Sequence, residues 1–153
     1  MDHRDYVRRE TSISIVINVV LTVLIFVGVF GVGHSVSVWG VGNWVFDFLP
    51  QSFMIALMST LVPGALTSRK IAAGKLARAA NASRLPDRLV LRALFLAVAS
   101  AIVGTAIVAL GAFALTVDAL GFFPALAFKM AYAVLLAAFV TPIGLRAALA
   151  ARN

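Results

Sequence analysis

The chain has 153 residues, 62% of them hydrophobic and only 12% charged, with a formal net charge of +7 and no cysteine. Soluble domains hold roughly 45–50% apolar and about 25% charged residues, so this excess points to lipid as the solvent. Disulfides, thiolate metal sites and cysteine nucleophiles are excluded, and His3 and His34, separated by a long apolar segment, do not suggest a histidine metal site.

Four apolar stretches are long enough to span a hydrocarbon core, which takes about 20 helical residues. They are expected at about 12–33, 49–67, 93–117 and 123–145, within one membrane domain covering 1–153. Lipid offers the backbone no partners, so the spans are read as helices, and the alternation of a membrane barrel is absent.

The first span follows Arg4, Arg8 and Arg9 and is too long for a cleaved signal, whose apolar core has about 7–15 residues, so it is read as a retained anchor. Ser14, Asn18 and Thr22 share one of its faces. Interhelical hydrogen bonds of about 0.6 kcal/mol each give such a face a packing role. Asn18 is expected toward the inner leaflet, and Gly28 and Gly31 to permit close helix approach. The following loop, "HSVSVWGVGNWVFDF", carries Trp39 and Trp44, rings suited to the headgroup level. It is expected to lie along the outer surface, the alternative being a half-hairpin dipping into the bilayer.

The second span places Ser52, Ala56, Ser59 and Pro63 on one stripe, with Gln51, Met54 and Met58 beside it. Pro63 is expected to kink the helix, its freed carbonyls met by Thr60 or Ser59. The basic segment 68–92 reads as a solvated topology signal or as an interfacial helix. As an interfacial helix it would set Arg69, Lys70, Lys75 and Arg78 on anionic lipid, each base being worth about 1 kcal/mol near the surface. Pro86 and Asp87 suit the first turn of the next helix. The third span is a packing surface, with Ala97, Ala101 and Thr105 four apart and Ser100 and Gly104 on the adjoining ridge.

The fourth span contains Lys129, five residues past Pro124 and so about 7–8 Å along the axis. Snorkelling of its four-carbon stem to the headgroups is the simpler expectation. The sharper one turns the charge into the bundle. There Asp47 or Asp118, both at the outer face, would pair with it and lock the bundle or form an anion or proton site. An enzyme would need Tyr132 or Asp118 beside Lys129 at a bound lipid or cofactor.

Every Lys and Arg except Lys129 falls on one side of this topology, while the two other loops hold Asp47 and Asp118 instead. The positive-inside rule then places both termini in the cytoplasm and accounts for the charge without nucleic acid. The halves also resemble each other. "FLP" (48–50), an apolar span and "VPGAL" (62–66) parallel "FFP" (122–124), an apolar span and "TPIGLR" (141–146). A parallel tandem repeat of two helical hairpins is the corresponding expectation.

The stretch "FMIALMSTLVPGALTSRK" (53–70), a span ending in proline and then arginine, resembles an uncharacterised family of short bacterial inner-membrane proteins built from one such hairpin. The resemblance covers about half the chain. It implies a bacterial inner membrane and no particular activity.

The fold expected is therefore an all-α integral membrane protein, a bundle of four transmembrane helices with both termini cytoplasmic. No span contains a carboxylate, and no Ser/His/Asp set or phosphate loop appears. No cofactor and no enzymatic activity are expected. The expected role is a non-catalytic accessory, assembly or interaction subunit, as a homo-oligomer or in a larger membrane complex in contact with anionic lipid. The alternative is a small homo-oligomeric transporter or channel using Lys129 and a polar path from Asn18.

Overall fold

The computed structural model describes residues 3–79, 83 and 85–151. It consists of helices α1 (His3–Phe30), α2 (Phe48–Ala72), α3 (Leu89–Ala114) and α4 (Phe122–Ala150), with two-residue strands β1 (Val36–Ser37) and β2 (Ala119–Leu120) in the loops. All four helices are long and apolar enough to cross a membrane. α2 and α4 cover their expected spans, while α1 and α3 each stop three residues short at the loop end, and all four begin or end in the polar flank beyond the span. At 1.5 Å per residue the 28 residues of α1 measure about 42 Å, more than the roughly 30 Å core, so the ends project by a turn or more. Arg84 and Arg152 lie outside the described residues.

β1 pairs with β2 antiparallel, which brings the two short loops to one end of the bundle. At the other end His3 donates from Nε2 to the Ala77 carbonyl at 3.0 Å, and the Ala79 amide donates to the Leu149 carbonyl at 3.0 Å. There Tyr6, Leu76, Leu145 and Leu149 form a small core. The bundle thus has a loop end and a terminal end.

α2 and α4 pack together at the centre, with α1 laid mainly on α4 and α3 mainly on α2. The buried positions recur every fourth residue. In α1 they are Tyr6, Glu10, Ser14, Asn18, Thr22 and Phe26. In α4 they include Ala125, Lys129, Ala133, Ala137, Thr141 and Leu145. Such i±4 rows are the ridges that interlock in close helix crossings. Those of α3 and α4 are mostly alanine, which lets backbones approach where lipid gives no hydrophobic drive to associate.

The small-residue face expected on α3 is where α3 meets its neighbours: Ala97 and Ala101 are buried, and Ser100, Gly104 and Thr105 half-buried. A Cβ on Gly104 would collide with the Tyr132 hydroxyl and stand 3.2 Å from Ser52 Oγ. Gly28 differs from expectation. A Cβ there would meet nothing within 4 Å, because Gly28 lies off the buried row. Gly31 falls one residue past α1 and takes no part in its packing face.

The segment after α2 forms no interfacial helix among the described residues. Gly74, at φ +68°, ends α2: its amide donates to the Ile71 carbonyl and the Lys75 amide to that of Lys70, closing the helix terminus. Thr116, at φ +51°, closes α3 in the same way. Pro86 and Asp87 precede α3 instead of forming its first turn.

The first loop does not lie flat along the surface. Val36, Val38, Trp44, Val45 and Phe48 are buried with Phe26, Val108, Ala112 and Ala125 in a core that caps the loop end. Trp44 is buried and donates to the Ala125 carbonyl at 3.3 Å, while Trp39 stays exposed and donates to the Val117 carbonyl at 3.0 Å.

Gly104→Ala is expected to lower the melting temperature in detergent, since over-packing costs about 1–3 kcal/mol, whereas Gly28→Ala is expected to leave it unchanged or raise it. Equal melting of the two variants would refute this assignment of the α2–α3–α4 contact.

Candidate functional site

Lys129 does not snorkel. Its side chain is 1% exposed and points into the bundle. About two turns in from the α4 start, its stem is trapped between α4 and α2, and the ammonium finds its partners there. It donates to Asp47 Oδ2 at 2.8 Å and to Gln51 Oε1 at 2.9 Å. It also stands 3.9 Å from the centroid of the Phe48 ring, so an aromatic face covers part of the charge. An ammonium has three protons to place; two carbonyl-type oxygens and a ring take up most of that demand.

Asp47 is the residue before α2, but its carboxylate caps no helix amide. The carboxylate serves Lys129 instead of capping α2. Gln51 extends the network across the bundle, donating from Nε2 to Thr22 Oγ1 on α1 at 3.3 Å. Asp118 takes no part: it is exposed, and its backbone carbonyl accepts from the Val38 amide at 2.9 Å.

Rings enclose the ammonium site. Phe48 lies edge-to-face with Trp44 at 4.9 Å and with Tyr132 at 4.9 Å between centroids. Tyr132 is engaged on the α3 side, hydrogen-bonded to Ser52, which donates to the Phe48 carbonyl at 2.6 Å. The hydroxyl is therefore a structural neighbour of the ion pair, tied to Ser52.

Two further polar layers lie along α1 toward the terminal end. In the middle, Asn18 donates to the Ser14 carbonyl at 2.8 Å and to Ser59 Oγ at 3.0 Å. Ser14 and Ser59 are hydrogen-bonded at 2.9 Å, and Thr141 donates to Ser14 Oγ at 3.1 Å. This layer joins α1, α2 and α4. Nearer the end, Lys70 pairs with Glu10 at 3.2 Å and lies 4.4 Å over the Tyr6 ring. Tyr6 is hydrogen-bonded to Thr67 at 3.0 Å, which donates to the Pro63 carbonyl at 2.7 Å. The hydroxyls expected to serve carbonyls freed by Pro63 do otherwise. Ser59 is held by α1, and Thr60 Oγ1 has no partner among the described residues.

α1 leans on α4 and leaves a groove against α2. A cavity of about 260 Å³ there is lined by Asn18, Thr22, Asp47, Gln51, Met54 and Lys129, among others. A second, about 220 Å³, is lined by Glu10, Ser14, Asn18, Met58 and Pro63, among others. The two share Asn18 and Met58. Asn18 and Lys129, expected far apart, thus border the same space. Among the described residues no three His, Cys, Asp or Glu side chains stand together as a metal set. The Lys129 ammonium could take an external carboxylate or phosphate only by giving up Asp47.

Of the cations expected at the lipid surface, Arg69, Lys75 and Arg78 are exposed, while Lys70 is drawn inward by Glu10. Glu10 was missed because it lies before the apolar run. The usable signal was spacing: it continues the row Ser14, Asn18, Thr22 by one step of four. Thr141 was missed for lack of any local mark. Arg92 is also buried, donating to the Pro86 carbonyl at 3.3 Å, with Nε unpartnered among the described residues.

Asp47→Asn removes the counter-charge and leaves a buried ammonium, a change that costs about 3–5 kcal/mol for buried pairs. The double variant Asp47→Asn/Lys129→Met is expected to recover most of that loss. A thermal double-mutant cycle in detergent checks this, and additive losses would show that the two side chains do not act as a pair.

No known protein family, no curated protein and no solved structure matches the chain.

Proposed function

We propose that the chain is a non-catalytic accessory or interaction subunit of a bacterial inner membrane, assembled as a homo-oligomer or in a larger membrane complex. The observation that carries this reading is the engagement of Lys129. Its ammonium is held by Asp47, Gln51 and the Phe48 ring, all within the chain. A charge so held joins α4 to α2, and through Gln51 to α1, without needing a ligand. The outward faces of α1 and α3 carry Ile17, Leu24, Ile102, Ile107 and Leu110, all exposed, a surface suited to lipid or to a neighbouring helix. Gly28 opens its backbone on that side.

The same reading places both termini in the cytoplasm. Arg4, Arg8, Arg9, Arg69, Lys75, Arg78, Arg88 and Arg146 belong to the terminal half of their helices or to the segment between them, while the loops at the other end hold Asp47 and Asp118 and neither Lys nor Arg. That is the charge bias of a cytoplasmic face. A parallel tandem repeat belongs to the proposal as well. It is supported by an exchange of partners: the first helix of each hairpin packs on the second helix of the other, and the two hairpin loops pair through β1 and β2.

A carrier is the second reading, favoured by the groove between α1 and α2. Its two cavities adjoin at Asn18 and run from the Lys129–Asp47 pair toward Glu10.

Reconstitution of the wild type and of Lys129→Met/Asp47→Asn separates the two. The accessory reading expects the same oligomer by native mass spectrometry for both, and an imposed pH gradient that decays as in protein-free vesicles. Gradient dissipation by the wild type, abolished in the folded double variant, would replace this reading with a proton-coupled carrier.

Sidedness has its own test. A fluorescent protein that matures only in the cytoplasm is expected to light up when fused after Asn153, and a dark fusion would invert the placement.

A further inference from the structure

A further cavity lies away from Lys129, at the terminal end, between α1, α4 and the residues Ala79, Ser83 and Leu85. It measures about 780 Å³. Arg4 and Arg8 line it from successive turns of α1, and Arg146 lines it from α4. All three are exposed, and among the described residues none is paired with a carboxylate. Among the described residues no Asp or Glu lines the cavity. Of the hydroxyls at its border, Thr11 donates to the Val7 carbonyl at 2.7 Å, Ser12 donates to the Arg8 carbonyl at 3.1 Å, and Ser83 accepts from the Leu85 amide at 3.1 Å. The charged donors that the cavity offers are the guanidiniums.

The rest of the wall is apolar, formed by Val7, Pro142, Ile143 and Leu149 with neighbouring alanines. Ala79, Ser83 and Leu85 line the far side, where the Ala79 amide donates to the Leu149 carbonyl and His3 to the Ala77 carbonyl. Depth matters too. Arg8 stands five residues, about 7–8 Å, before Ile13, where the apolar run of α1 begins. Arg146 follows Phe122 by twenty-four residues, or about 36 Å, just beyond a core of roughly 30 Å. The three cations therefore sit at the level of lipid phosphates, with an apolar wall leading into the bilayer.

We propose that the cleft between α1 and α4 binds one anionic phospholipid, its phosphate held by Arg4, Arg8 and Arg146 and its acyl chains laid along Val7, Pro142 and Ile143. Guanidiniums match phosphate oxygens in a forked, charge-assisted geometry. Basic pockets between membrane helices are suited to acidic headgroups, where a diffuse cationic surface gives only general attraction. A free phosphate would satisfy the arginines but leave the apolar wall unused, so the lipid fits the whole cleft. The site is separate from the exposed Arg69, Lys75 and Arg78. It depends on the four-helix membrane architecture and not on the accessory role.

Native mass spectrometry from mixed micelles of phosphatidylglycerol and phosphatidylcholine tests it. The wild type is expected to retain one phosphatidylglycerol in preference to phosphatidylcholine. Arg4→Gln/Arg8→Gln/Arg146→Gln is expected to weaken that adduct by roughly fivefold per arginine removed. Arg69→Gln/Lys75→Gln/Arg78→Gln, with the same loss of charge, is expected to keep it. Because the three arginines are exposed, the first variant is expected to melt like the wild type in zwitterionic detergent, and Arg146→Gln alone serves in its place if it does not. Equal weakening by the two triple variants, or equal retention of the two lipids, would reduce the site to general surface charge. A thermal shift from inorganic phosphate alone that matches the lipid's would overturn the lipid assignment in favour of a free anion.

Discussion

A polar side chain facing hydrocarbon must find its partners inside the protein, because lipid offers none. That constraint organises the molecule from Lys129 outward. The ammonium draws Asp47 and Gln51 to it, and Asp47 is the residue that joins the first loop to α2. With Asp47 held, Trp44 and Phe48 turn in under the loop and the loop closes over the end of the bundle. A single charge thus sets the position of a cap whose sequence resembles a surface segment.

The helix seams are of two kinds. Around α2, α3 and α4 they are built on alanine and glycine, where backbones come close and dispersion supplies the attraction. Ala56, Ala93, Ala97, Ala125, Ala133 and Ala137 are fully buried there. Such a seam is tight but weak in register, since one alanine resembles the next. The α1 seam is built on Glu10, Ser14, Asn18 and Thr22, each with a partner at its own height. Directional hydrogen bonds fix what a smooth stripe leaves free. α1 is therefore placed by polar matching, and the same long polar reach leaves the groove against α2 that the small-residue seams do not have.

Arginines at the terminal end divide by environment. Arg92 is drawn inside beside α2, whereas Arg4, Arg8 and Arg146 stay outside around a shared cleft. The positive-inside pattern treats all of them alike, as counts on a side. The fold gives them different surroundings: one is a buried helix-start cation, and three line one cleft.

The number of spans and the grouping of the cations at one end were legible in the residues, because both follow from composition along the chain: a long apolar run needs no knowledge of its neighbours to be a helix in lipid. The row Ser14, Asn18, Thr22 and the small face of α3 were legible for the same reason, being periodic within one helix. What Lys129 does was not. Snorkelling and inward pairing differ only in which residues stand beside α4, and Asp47 and Gln51 come from 82 and 78 residues away. Gly28 likewise has the right residue type for close packing but lies on the wrong side of α1. Faces within a helix are a local property of its repeat. Which face meets which, and so which charge is neutralised and which cleft remains open, belongs to the tertiary structure, because long-range partners are chosen only when the helices pack.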